Sequence, residues 1–302
     1  AAVKGRRTVW TVLEREPAKD FGREGKAPGQ FNMPFDVVAL PDGDLCVADT
    51  YNHRLQIFSK EQGAAPRVIG KEGKQPGQFY GPSGVACDGT HLYVTDHFNH
   101  RVQKLRLADG AHLGTVGKAD CTEGSGEGQF HHPHGLRVVA GALYVCDFGN
   151  HRIVVLGTDL SWRYTFGRKG SGNGEFNEPT AVAALGDELY VMDNANHRVQ
   201  AQRLRPAAPS PARHAPPRLP RQVFTPDRHG RMRFARAFGG EGDAPGQFNM
   251  PWGVAVVRGL LVVSEDTRLQ VLTPKGVPLQ VLTLGEHLAG LCADEERVWV
   301  AD

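Results

Sequence analysis

VADTYNHRLQIF, the stretch that begins at Val47, decides the fold because the chain repeats it. Three related stretches follow: VTDHFNHRVQKL from Val94, VCDFGNHRIVVL from Val145 and VMDNANHRVQAQ from Val191. Each is preceded by a second recurring phrase, such as PGQFNMPFDVVA or EGQFHHPHGLRV. A chain that repeats itself roughly every 45–50 residues is an array of supersecondary units. Residues common to all units are therefore candidates for scaffold, and those that differ at matched positions are candidates for function.

Short apolar runs separated by turn residues predict four strands in each unit. In the second unit these runs are Gly84–Cys87, His91–Thr95, Arg101–Leu105 and Leu113–Gly117. Four short strands in about 45 residues, repeated, are typical of the blades of an all-β β-propeller. The acid that ends the second strand marks six units: Asp49, Asp96, Asp147, Asp193, Asp266 and Asp302.

The two ends of the chain predict how the ring closes. The sixth unit stops after two strands at Asp302, and Arg6–Leu13 resembles the strand that follows Asn-His-Arg elsewhere. We therefore expect residues 1–302 to form one six-bladed β-propeller, closed by pairing N-terminal strands with the C-terminal blade. Residues 1–20 would complete that blade and remove an exposed sheet edge. This arrangement predicts that Asp302 lies close to Arg7.

Composition indicates a soluble, intracellular protein. The chain has 302 residues, of which 40% are hydrophobic and 23% charged, and no apolar run approaches the ~20 residues of a membrane span. The five cysteines are scattered and form no CxxC motif, which favours a reducing, cytoplasmic compartment. The chain does not begin with Met and has no signal-peptide core, so we expect a monomeric propeller that is part of a larger protein.

One segment differs sharply in charge from the rest. Residues 203–236 contain nine Arg and a single acid, so they carry about +8, whereas the remainder of the chain carries about −6. Within them, residues 205–231 are rich in Pro and Arg and are predicted to be a disordered insertion at the bottom of the fourth blade. The insertion is either a solvated loop or a basic tether for RNA, acidic proteins or membrane headgroups. Its candidate contact residues are Arg213, Arg218, Arg221, Arg228 and Arg231.

The repeated triplets resemble those of the NHL repeat family, whose members are six-bladed propellers named for an Asn-His-Leu-like sequence. The resemblance rests on the three PGQF phrases and on Asn52-His53-Arg54, Asn99-His100-Arg101, Asn150-His151-Arg152 and Asn196-His197-Arg198. Family members often carry the propeller beside other domains, such as ubiquitin-ligase modules. The resemblance therefore implies an NHL-type interaction module.

The recurring residues are predicted to hold the blades together. The Asp and Asn of each phrase would fix a tight connection through hydrogen bonds to the backbone. The Arg would pair with an acid, and the His would pack and hydrogen-bond between blades. The Phe of each Gly-Gln-Phe-like phrase should be buried: Phe31, Phe79, Phe130, Phe176 and Phe248.

The divergent residues define a candidate site on the top face, where the loop into the innermost strand and the loop after the second strand open. The residue after each Pro of the first loop should line the mouth of the central channel: Phe35, Ser83, His134, Thr180 and Trp252. The second loops add Tyr51, Phe98 and Phe148. Aromatic residues of this kind anchor protein interfaces, so the first hypothesis is a non-catalytic scaffold that binds a protein or peptide.

Two other functions stay open. NHL propellers of tripartite-motif proteins bind RNA on the top face, and aromatic stacking would suit single-stranded RNA. The net charge of about −6 outside residues 203–236 counts against RNA without excluding it. Peptidyl-hydroxyglycine lyases share an NHL-like propeller and place zinc-binding histidines directly after this Pro in several blades. Only His134 holds that position here, and a catalytic zinc site normally needs three protein ligands. His132 and His134 are weak metal candidates, and we expect no enzyme activity and no cofactor.

Overall fold

The protein is a β-propeller built from four-stranded antiparallel sheets. The computed structural model describes residues 7–11, 17–60, 64–204, 232–284, 288–293 and 297–301. Four of the strands are each followed directly by a short 3-10 turn: Thr50–Asn52, His97–Asn99, Phe148–Asn150 and Asn194–Asn196. Five sheets consist of four consecutive strands each, and we number them blades 1 to 5 in chain order.

The strands of the five blades follow the predicted pattern, with the first strand innermost and the fourth outermost. Blade 1 contains β3 (Pro34–Ala39), β4 (Leu45–Asp49), β5 (Arg54–Phe58) and β6 (Arg67–Ile69). Blade 2 contains β7 (Pro82–Cys87), β8 (His91–Asp96), β9 (Arg101–Arg106) and β10 (His112–Gly117). Blade 3 contains β11 (Pro133–Val139), β12 (Ala142–Asp147), β13 (Arg152–Gly157) and β14 (Trp162–Phe166). Blade 4 contains β15 (Pro179–Leu185), β16 (Glu188–Asp193), β17 (Arg198–Arg203) and β18 (Arg233–Gly239). Blade 5 contains β19 (Gly253–Val257), β20 (Leu260–Ser264), β21 (Arg268–Leu272) and β22 (Pro278–Thr283).

A further sheet, here called the terminal sheet, combines strands from both ends of the chain. Its order is β2 (Pro17–Phe21), β1 (Arg7–Thr11), β24 (Arg297–Val300) and β23 (Leu291–Ala293). The strands β1 and β24 pair antiparallel, with Thr8 opposite Val300. The prediction that Asp302 lies close to Arg7 is not tested by the structure, because Asp302 lies outside the described residues. The same holds for the insertion, residues 205–231, with its five candidate arginines.

The hydrophobic core lies between blades rather than within them. Each second strand, for example Leu92–Val94 in β8, is buried on both faces because a sheet packs on either side. This explains why these strands are continuous apolar runs rather than alternating ones. The five predicted Phe anchors are all buried, which confirms the prediction made for them. In blade 2 the ring of Phe79 covers Gly70, where an added Cβ would lie 2.4 Å from the ring.

Candidate interaction surface

The carboxylate of Asp96 is the centre of the repeated motif in blade 2. One oxygen accepts the N–H of Tyr80 at 2.6 Å, and the other accepts bonds from Asn99 at 2.9 Å and from Arg101 Nε at 2.7 Å. Burial raises the pKa of this carboxyl, while these donors act in the opposite direction. The same acid–arginine distance of 2.7 Å recurs in the pairs Asp49–Arg54, Asp147–Arg152 and Asp193–Arg198. A network that recurs in four blades is scaffold, as the sequence predicted.

In blade 5 a glutamate takes the place of the repeated aspartate. Glu265 is buried, accepts the backbone N–H of Asn249 at 2.8 Å and pairs with Arg268 Nε at 3.0 Å. The choice of Asp266 as the marker of this unit was therefore wrong by one residue. Arg268 follows Glu265 by three residues, whereas Arg101 follows Asp96 by five. The side chain of glutamate is one methylene longer than that of aspartate, and it reaches the arginine in this shorter loop.

The histidine of each triplet links its blade to the next one. All four lie in the left-handed backbone region, with φ between 52° and 55°. Each ring accepts a backbone N–H through Nδ1, at 3.0–3.1 Å: His53 from Gly81, His100 from His132, His151 from Glu178 and His197 from Met250. An Nδ1 that accepts leaves a ring proton on Nε2, so each histidine links two blades as a hydrogen-bond acceptor. This confirms the predicted packing between blades.

In three of the four 3-10 turns the first residue makes a second contact between blades, which was not predicted from the sequence. Its side chain donates to the carbonyl of the Pro in the first loop of the next blade: Thr50 to Pro82 at 2.7 Å, His97 to Pro133 at 3.2 Å and Asn194 to Pro251 at 3.0 Å. The sequence did contain a sign of this contact, because a side chain that can donate a hydrogen bond occupies the matched position in three blades. In blade 3 this position is Phe148, so Phe148 is not equivalent to Tyr51 and Phe98, which follow one residue later in their turns.

The residues that follow the Pro meet at the channel, as predicted. The described lining of one small cavity includes Phe35, Ser83, His134, Thr180 and Trp252. The His134 ring lies 4.8 Å from Phe35 and 5.9 Å from Trp252, and the latter two rings are 5.6 Å apart. These three rings close the channel rather than surround an open mouth. Ser83, His134 and Thr180 are buried, so they cannot supply direct contacts to a macromolecular partner.

An ion pair crosses the channel beneath these rings. Arg137 of blade 3 binds Asp36 of blade 1 at 2.8 and 3.1 Å, and donates to the carbonyl of Leu291 in the terminal sheet at 2.6 Å. Asp36 also accepts the N–H of Val85 in blade 2 at 3.1 Å. Burial opposes the charge of Arg137, but Asp36 raises its pKa above the ordinary value. The pair connects four sheets, and its two opposite charges neutralise each other.

Five histidines cluster on the top of blades 2 and 3: His97, His100, His131, His132 and His134. His97 stacks on His132 at 4.7 Å. The Nδ1 of His134 lies 3.1 Å from the carbonyl of Thr180, where it can donate. Among the described residues no group of three His, Cys, Asp or Glu is placed to hold a metal ion. The pair His132 and His134, considered as a metal candidate, does not form such a site in this part of the chain.

The cluster predicts that stability falls below neutral pH. Burial lowers the pKa of His97 to about 3, and those of His100 and His134 to about 4. The unfolded chain, with ordinary values near 6.5, therefore binds protons first. Stability should be complete above about pH 6.5 and decrease as the pH falls toward 4. Urea unfolding at pH 7.5, 6 and 5 measures this slope.

A matched pair of variants isolates the cluster in that experiment. His134→Gln keeps a donor near Thr180 but removes the titrating group, so the loss of stability between pH 7.5 and 5 should become smaller. Ser83→Ala changes a buried side chain of the same cavity that does not titrate, so it is the control and should leave the slope unchanged. Equal slopes for the wild type and His134→Gln would contradict the assignment.

Half of the ten exposed large apolar side chains among the described residues lie on the top face. The first loop and the 3-10 turn of a blade lie at the same end, because Tyr51 N–H bonds to Asn32 O at 3.1 Å and Phe98 N–H to Tyr80 O at 3.0 Å. Among the described residues, five large apolar side chains of these loops are 37–47% exposed: Met33, Tyr51, Tyr80, Phe98 and Met250. Of the predicted contact residues, Tyr51 and Phe98 are thus accessible, Phe35, Phe148 and Trp252 are half-buried, and the others are buried.

Comparison with known proteins identifies the repeats. The model of the NHL repeat matches residues 31–58 and 130–156, which contain the motifs of blades 1 and 3. The chain therefore contains NHL repeats in these two stretches. A stretch of 41 residues is 51% identical to the B-box type zinc finger protein ncl-1 of Caenorhabditis elegans and to Protein brain tumor of Drosophila melanogaster. This stretch is 14% of the NHL-repeat chain and only 5% and 4% of those two proteins.

Solved structures share the fold of this NHL-repeat protein. A chain of a nidogen/laminin complex matches with a TM-score of 0.64 and 15% identity, over 99% of this chain and 97% of that one. Virginiamycin B lyase from Staphylococcus aureus, solved in a catalytically inactive form with quinupristin, matches with a TM-score of 0.62 and 12% identity, over 99% and 92%. At such identities the similarity establishes the propeller fold alone. No helix among the described residues is long and apolar enough to cross a bilayer.

Proposed function

We propose that this NHL-repeat propeller is a non-catalytic interaction module that binds a protein or peptide on its top face. The observation that carries the proposal is a difference in burial between two groups of loop residues. The repeated polar residues are buried in networks such as that of Asp96, whereas the divergent ones include the exposed Tyr51, Tyr80 and Phe98. Exposed aromatic side chains beside ordered backbone supply large contact area at low entropic cost, as binding hot spots require.

Charge favours a protein over single-stranded RNA as the partner. A nucleic-acid site needs a basic groove that follows the phosphates. The chain outside residues 203–236 carries about −6, which disfavours binding of a phosphate backbone. RNA binding is the alternative that the experiment below must distinguish.

The arrangement of the histidines favours binding over catalysis. His134 occupies the position that carries zinc ligands in the related lyases, but it is buried between Phe35 and Trp252. The matched positions in neighbouring blades are Ser83 and Thr180, which are also buried. A lyase-type zinc site is therefore not our proposal, and metal analysis of the purified protein tests it directly.

We further infer that the terminal sheet is a sixth blade that closes the ring. The pairing of β1 with β24 supports this, and so does the bond from Gly290 N–H to Phe35 O at 2.8 Å between the terminal sheet and blade 1. An intracellular location is also proposed, because the five cysteines are scattered along the sequence and form no CxxC motif. The Pro/Arg-rich insertion remains a candidate tether for acidic partners or RNA.

Capture from a cell lysate with and without ribonuclease tests the top-face proposal. The double variant Tyr51→Ala/Phe98→Ala should lose the specifically captured protein, and ribonuclease should have no effect on the wild type. The control Leu113→Ala/Trp162→Ala removes residues of similar exposure from outer strands β10 and β14, and should retain the protein. Capture that disappears with ribonuclease, or that both double variants retain equally, would refute the proposal.

A further inference from the structure

Four rings form a continuous ladder across the top of blades 1, 2 and 3. His53 lies 5.2 Å from Tyr80, Tyr80 lies 5.3 Å from Phe98, and Phe98 lies 6.0 Å from His132, centroid to centroid. Tyr80 and Phe98 are 43% and 37% exposed. We call these four residues the ring ladder.

A glycine makes the ladder possible. The residue before the Pro of each first loop lies in the left-handed region, and other blades place a side chain there, as in Met33, His132 and Met250, with φ of 48–50°. In blade 2 it is Gly81, with φ of 70°. A Cβ at Gly81 would lie 2.5 Å from the Phe98 ring. The ring of Phe98 therefore fills the space that a side chain would occupy, which brings it against Tyr80.

The four ladder side chains offer ring faces and hydrogen-bond donors and include no carboxylate, ammonium or guanidinium group. The acid beside them, Glu123, lies 2.9 Å from Nε2 of His131. Because His53 accepts the N–H of Gly81 through Nδ1, its Nε2 carries a proton that can be donated. The pKa of His132 is lowered by burial and by His131, so its ring is neutral near pH 7. Tyr80 adds a phenol that can donate to a carbonyl. Such a surface suits an uncharged chain with free carbonyls rather than a phosphate backbone.

We propose that the ring ladder binds an extended, proline-rich peptide, which names the partner class of the protein-binding function proposed above and rests on it. A polyproline II chain has no internal hydrogen bonds, so all its carbonyls are free to accept, and its flat proline rings dock on aromatic surfaces. Its rise of about 3.1 Å per residue places five residues along about 15 Å. A peptide of about this length can contact all four rings, whose successive centroids are 5.2, 5.3 and 6.0 Å apart.

Fluorescence anisotropy with a labelled decaproline peptide and the full chain tests the proposal. Phe98→Ala should weaken binding by about tenfold or more, as for an interface hot spot. Gly81→Ala should weaken it comparably by displacing Phe98, and far-UV circular dichroism checks that this variant is folded. The control Trp162→Ala removes an aromatic residue of the same 37% exposure from the outer strand of blade 3, and should bind as the wild type does. A decaalanine peptide should not bind.

Three results would overturn the proposal: no binding of decaproline, equal loss in Phe98→Ala and Trp162→Ala, or binding of single-stranded oligouridine at the ladder in place of the peptide. If decaproline fails while protein capture still depends on Tyr51 and Phe98, this inference is wrong and the proposed function stands. If peptide binding and capture both fail, the proposed function is refuted as well.

Discussion

Replacing Asp96 by Ala is expected to destabilise the fold by about 3–5 kcal/mol. The substitution leaves Arg101 buried without its partner and removes the acceptor for Asn99 and for the N–H of Tyr80. Buried donors that lose their acceptor cost far more than the hydrogen bonds themselves contribute. Urea unfolding at pH 7.5 measures the effect. Because Tyr80 is anchored by this carboxylate, the same variant should also weaken binding at the ring ladder.

The matched control for Asp96 is an acid of the same blade that takes no part in the buried hydrogen-bond network of the motif. Asp109 pairs with Arg106 at 2.9 Å, but half of each side chain is exposed. Asp109→Ala should therefore leave the unfolding midpoint nearly unchanged. Asp96→Asn keeps the shape but presents an amide to Arg101, and should be destabilised almost as strongly as Asp96→Ala. Similar stabilities for Asp96→Ala and Asp109→Ala would contradict the scaffold role of the motif.

Removing residues 1–21 is expected to lower the thermal unfolding midpoint by roughly 10 °C or more. The truncation deletes β1 and β2, so β24 loses the strand that pairs Thr8 with Val300 and becomes a free edge beside the buried Val298. Unpaired edges promote association, so the truncated chain should also elute as larger species in size-exclusion chromatography. Scanning calorimetry and chromatography measure the two effects.

A second deletion of similar length is the control for the truncation. Joining Leu204 to Met232 by a short Gly-Ser linker removes residues 205–231, and we expect the midpoint to stay close to that of the wild type, because connections between outer strands tolerate changes in length. If removal of residues 1–21 changes stability no more than removal of residues 205–231, the inference of a closed sixth blade is wrong.

The repeats allowed much of the fold to be predicted, because one motif imposes the same strands wherever it recurs. The strands of blade 2 were placed within two residues: β7 begins at Pro82 rather than Gly84, and β8, β9 and β10 are each one residue longer than expected. The error at Asp266 arose where the motif had degenerated. With no Asn-His to fix the alignment, only the contacts of Glu265 with Asn249 and Arg268 show which acid is the structural one.

The candidate site was predicted less completely than the fold. The sequence grouped Phe35, His134 and Trp252 correctly, since they occupy one position of the repeat. It did not predict that the three rings would pack against one another and close the channel, because side-chain volume relative to channel width is not encoded in the repeat. Nor did it single out Gly81, whose role depends on the Phe98 ring from a different loop.

The sequence by itself determined the propeller fold, the buried Phe anchors and the scaffold role of the Asp-x-x-Asn-His-Arg phrase, because local periodicity and recurrence carry that information. Only the tertiary structure decided which divergent residues are accessible, how Asp36 and Arg137 meet across the channel and how Gly81 aligns Tyr80 with Phe98. The physical reason is that these features arise where different blades converge. Distances between side chains that are far apart in the sequence are set by packing of the whole ring, not by any one repeat.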